Sequence, residues 1–141
     1  MNRTLTLGLF AAGAAMIACP ALAQTALPAP KSAPVITILG TIDLGKEFPG
    51  MAGNLMVLRT VSFAPGAGMA LHAHKGKPEV AHVVSGVLSE QRNGGPIVQD
   101  EPGSTVVNDG TLSHTIVNMG TVPVQLIAAS IIPDPAAAPK P

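Results

Sequence analysis

Between residues 36 and 132 the chain is broken into short runs of β-branched and apolar residues, each closed by a turn signal. The runs are ITIL (36–39), LMVLRTVSF (55–63), EVAHVV (79–84), PIVQ (96–99), STVV (104–107), HTIVN (114–118) and VPVQLIAASII (122–132). Between them lie PGAG, SG, RNGG, EPG, NDG and NMG. No stretch sustains a helical apolar period over eleven residues, so long amphipathic helices are excluded as the basis of the core. Gly (15) and Pro (14) are spread along the chain rather than gathered in a repeat, as many short strands and turns require. The predicted fold class is all-β, a sandwich or barrel. RNGG is read as a hairpin turn, because Asn93-Gly94 tolerates positive φ.

The 141 residues fit one domain, and 47% hydrophobic residues can furnish its core. Eight basic residues balance eight acidic ones, which leaves no field to gather nucleic acid or an anionic membrane. The first 23 residues read as a secretory signal peptide: Arg3, an apolar stretch from Leu5 to Ala18, and cleavage after Ala23. Cys19 offers a rival processing site, that of a lipoprotein, although MIAC is a poor match to such a site. Cleavage after Ala23 leaves no cysteine, hence no disulfide or thiolate chemistry. The expected location is periplasmic or secreted, with no membrane span. Residues 24–35 read as a flexible Pro/Ala-rich lead-in, 36–132 as the β domain and 133–141 as a Pro/Ala-rich tail.

Three of the four histidines fall in GAGMALHAHKGKPEVAHVVSG (66–86). His72 and His74 are two apart on an extended segment, so they share a face. Glu79 follows a turn-forming KGKP, and His114 opens a later strand. Three imidazoles and one carboxylate suit a divalent Fe, Mn, Ni, Cu or Zn ion. His82 lies three residues beyond Glu79 on one strand and is expected to face away from the metal.

This spacing resembles the first signature motif of the cupin superfamily: Gly, five residues, H-x-H, three or four residues, Glu, six residues, Gly. Gly66, His72, His74, Glu79 and Gly86 match each step. Gly103, His114 and Asn118 resemble the second motif, with Asp109-Gly110-Thr111 in place of its P-x-G turn. The resemblance covers roughly residues 50–132. It implies a small double-stranded β-helix, or jelly-roll barrel, with the metal inside on His72, His74, Glu79 and His114. It also implies open metal positions and a homodimer built on outer sheet faces.

Arg59 interrupts an apolar strand. It could line the barrel and hold a substrate carboxylate, or stand outward in solvent, the commoner place for such a residue. Gln91 and Gln125 stand in strands with no further signal, and Met51, Met56 and Met69 read as filler. Two functions remain. One is an exported metal-binding cupin that engages a small organic ligand. The other is a metal-dependent dioxygenase, or an isomerase or lyase, with Glu79 as base. Polar groups converging beside the metal would favour the enzyme, and a purely aliphatic lining the binding module.

Overall fold

A computed structural model describes residues 26–137. The segment read as a signal peptide, its expected cleavage site and Cys19 lie outside the described residues. Among the described residues nine strands form: β1 (Val35–Asp43), β2 (Asn54–Phe63), β3 (Gly68–Ala73), β4 (Glu79–Ser85), β5 (Leu88–Arg92), β6 (Ile97–Asp100), β7 (Thr105–Asn108), β8 (Ser113–Val117) and β9 (Val124–Pro133). One helical turn, α1 (Leu44–Glu47), and a 3-10 turn at Pro49–Met51 join β1 to β2. The strands build two antiparallel sheets, ordered β1-β2-β9-β4-β7 and β3-β8-β5-β6. No described helix is long and apolar enough to cross a membrane.

Every run read as a strand from the sequence is one, with ends moved by a few residues. The RNGG turn closes β5 onto β6: Asn93 and Gly94 have φ of 47° and 69°, and the Gly95 N–H donates to the Arg92 carbonyl at 2.8 Å. The lead-in is tied down within its described part, since the Lys31 N–H donates to the Gly66 carbonyl and Gly68 N–H to Ser32.

Alternation on the strands sets two faces. In β2, Val57, Val61 and Phe63 are buried, so Met56, Leu58 and Thr60 point outward. Phe63, Val83, Val124, Leu126 and Ala128 join Leu88 and Ile116 of the other sheet in a packed core. Two motif residues lock this end. Gly86 has φ +75°, and a Cβ there would lie 2.7 Å from the Pro123 carbonyl oxygen, so only glycine fits. Asn118, fully buried, donates to the Phe63 and Val122 carbonyls and accepts from the Gly120 N–H. It ties the β8–β9 turn to the end of β2.

Candidate metal centre

Bordered by that core, the two sheets part around a cavity of about 300 Å3. His72 on β3 and His114 on β8 are direct cross-strand partners, which places their side chains on one face. His74 lies one residue past β3, where its N–H donates to the Leu112 carbonyl at 3.0 Å. The chain then turns through Gly76, with Lys77 N–H on the His74 carbonyl at 2.8 Å. The DGT segment still turns: Asp109 accepts from the Thr111 N–H at 2.8 Å and delivers His114 to the site.

These elements bring the three imidazoles together. His114 Nε2 lies 2.9 Å from His74 Nε2 and 3.0 Å from His72 Nε2. Each Nδ1 is committed elsewhere: His72 to the Ala70 carbonyl (2.9 Å), His74 to the Lys77 carbonyl (3.2 Å), and His114 to the Glu90 carboxylate. Carbonyls and ionised carboxylates only accept, so each Nδ1 carries the proton and each Nε2 presents a lone pair. Three lone pairs facing one another repel unless a cation lies among them. Ligand nitrogens about 2.1 Å from one ion stand about 3.0 Å apart at right angles and about 3.4 Å apart in a tetrahedron. Both observed separations, 2.9 and 3.0 Å, bring the other two nitrogens close enough to His114 Nε2 for one ion to serve all three. Burial pushes the His72 and His74 imidazoles below the usual histidine range, which keeps them neutral and ligand-ready.

Glu79 lines the same cavity, but its carboxylate lies outside the group of converging ligand atoms. It pairs with the Arg59 guanidinium, accepts from Ser130 Oγ at 2.8 Å and from Asn108 Nδ2 at 3.3 Å. Burial pushes this carboxyl up, yet the Ser130 and Arg59 contacts outweigh it and hold it below the ordinary range. Arg59 therefore takes the inward of its two expected places, on the second strand of the sheet rather than at its edge. Its Nε is buried and meets no acceptor among the described residues.

His82 is exposed on the far face of β4, with Nδ1 3.0 Å from Thr105 Oγ1, as alternation predicted. Met69 lines the cavity as filler. Gln91 donates to the Gly95 carbonyl and Gln125 to Ser62, both outside the site. Two acids escaped the sequence reading. Glu90, 1% exposed, holds His114 and accepts from Arg92 Nε at 2.8 Å. Asp100 lines the cavity beside it, where burial and then the Glu90 charge push its carboxyl up to about 6. The alternation Leu88, Glu90, Arg92 on one face of a short strand was the available signal for Glu90.

A double-stranded β-helix with three histidines clustered in its lumen, close enough to hold one metal ion, defines the class. The family profile Cupin_2, Cupin domain, matches residues 59–130, just over half of the chain. The chain belongs to the cupin family. Solved structures agree on the fold. A Thermus thermophilus protein shares 16% identity over 79% of this chain and 92% of its own, with a TM-score of 0.56. The Cupin_2 domain of an XRE family transcriptional regulator from Enterobacter cloacae shares 21% over 70% and 96%, TM-score 0.53. A predicted oxalate decarboxylase from Thermotoga maritima shares 20% over 72% and 94%, TM-score 0.50. No curated protein matches the sequence. At these identities the likeness extends to the fold alone.

Proposed function

We propose that this cupin binds a divalent transition metal on the Nε2 atoms of His72, His74 and His114 and engages a small organic ligand in the adjoining cavity. The observation that carries the reading is the convergence of three lone-pair nitrogens whose Nδ1 protons are all engaged elsewhere. The donor set suits a divalent Fe, Mn, Ni, Cu or Zn ion. A metal there supplies Lewis acidity toward a ligand oxygen. Arg59 lines the cavity beside Glu79, and its guanidinium is our candidate to take an anionic group of that ligand. Glu79 serves either as the fourth metal ligand, by giving up Arg59, or as a base held ionised beside the metal.

The second reading is turnover: a dioxygenase, or an isomerase or lyase, acting on a small organic substrate. One observation favours it over simple binding. Arg59, Glu79, Asn108 and Ser130 converge on the cavity in place of a purely aliphatic lining. Export to the periplasm or beyond the cell, with cleavage after Ala23, belongs to the same proposal.

The test is elemental analysis of protein purified from its native envelope, its intact mass reporting the cleavage point. Wild type and His82→Ala should carry near-stoichiometric metal, and His72→Ala little. Equal metal in wild type and His72→Ala overturns the ligand assignment. In Glu79→Gln, lost metal makes Glu79 a ligand, whereas retained metal with lost dioxygen uptake makes it a base.

We further propose a homodimer. On the outer face of the five-stranded sheet, Ile42, Met56, Leu58, Val80 and Val107 are 41–59% exposed. Strand register places no Asp, Glu, Lys or Arg on that face. An uncharged apolar sheet face is self-complementary, and a second copy is its simplest cover.

A further inference from the structure

Of the three imidazoles, two lean on neutral backbone carbonyls, and only His114 leans on a carboxylate. That carboxylate belongs to Glu90, the middle residue of β5. Sequestering an ionised carboxylate from water is costly unless its oxygens are satisfied. Here Oε1 receives His114 Nδ1 and Oε2 receives Arg92 Nε, with Asp100 hydrogen-bonded alongside. An apolar residue would fill the same position without that cost, so the acid points to a role beyond packing.

The polar chain continues past Glu90. Arg92 Nη2 donates to Asn108 Oδ1 at 2.9 Å and to the Val107 carbonyl at 3.1 Å, and Asn108 Nδ2 donates to Glu79. Arg92 thus holds one carboxylate oxygen of Glu90, while the β5–β8 register pairs His114 with Arg92 and so sets it diagonally across from Glu90 on the same face. Glu90 is fixed by covalent and hydrogen-bonded neighbours before any ligand arrives.

We propose that Glu90 is the positioning residue of this centre: it holds the proton of His114 on Nδ1 and so turns a strengthened Nε2 donor toward the metal. The proposal rests on the metal reading above, but its first consequence exists without metal. A carboxylate partner fixes the tautomer and raises the donor strength of an imidazole, and removing such a partner typically costs 10–100-fold in metal affinity.

The test compares the full mature chain with Glu90→Gln, which keeps the shape and one acceptor oxygen but loses the charge. In metal-free protein, side-chain 15N–1H NMR should show His114 protonated on Nδ1 with a strongly downfield proton. In Glu90→Gln that proton should move upfield and the Nε2–H form should gain population. Titration with Co2+ should then give about 10–100-fold weaker binding in the variant, with shifted visible bands. If Glu90→Gln leaves arginine charge stranded and does not fold, the double variant Glu90→Gln/Arg92→Gln carries the same readouts. Unchanged His114 ring signals in a folded variant overturn the proposal. A wild type that binds no Co2+, yet loses the downfield proton on substitution, sinks the metal reading and leaves the positioning contact standing.

Discussion

At the scale of single residues, the cavity sets three acids against one another. Glu79 and Glu90 are held below the ordinary carboxylate range by donors, whereas Asp100, half-buried beside Glu90, is pushed up to about 6 from 3.8. The folded state therefore keeps a proton on Asp100 that the unfolded chain has already lost. That contribution is fully present below 3.8 and disappears as pH rises through about 6. Asp100→Asn should remove this slope and raise stability at pH 7 by about 1 kcal/mol, discounted for solvent reaching a half-exposed group. Urea unfolding of both proteins from pH 4 to 7 measures it. Parallel curves would mean that Asp100 titrates normally.

At the scale of elements, the β5–β6 hairpin holds Glu90 and Asp100 in place. Its turn stands on Asn93, a non-glycine residue at φ 47° whose Oδ1 accepts the Ser113 N–H at 2.9 Å. That bond joins the hairpin to the first residue of β8, one before His114. Asn93→Ala should cost about 1–2 kcal/mol, since it loses the bond and strains a left-handed backbone. Asn93→Gly should cost less, because it loses the bond alone. Urea midpoints of the two variants decide this, and equal losses would remove strain from the account. The hairpin itself could be read from RNGG, because turn chemistry is local. Which face of β5 turns inward could not, because that depends on the partner strand.

At the scale of the whole molecule, the uncharged outer sheet predicts association. The wild type should sediment as a dimer at micromolar concentration, and Leu58→Glu, which plants a charge in that face, as a monomer with its metal content intact. A monomeric wild type under those conditions removes the dimer. At the same scale, the fold and the candidate centre divide between what local chemistry encodes and what assembly decides. The runs of β-branched residues, the turns between them and the two-residue spacing of His72 and His74 are local, whereas His114 joins them from 40 residues further on. Strand alternation and turn geometry act over a few residues, so the sequence by itself determined the all-β class, the shared face of His72 and His74 and the outward His82, while the choice of a barrel over a sandwich rested on motif spacing that resembles the cupins. Only the tertiary structure decided that Arg59 turns inward onto Glu79, that this acid shares its carboxylate with Ser130 and Asn108, and that Glu90 stands behind His114. Those contacts join residues 20 to 51 positions apart on different strands. Their formation depends on the register of one strand against another, a property of the closed barrel that no single segment carries.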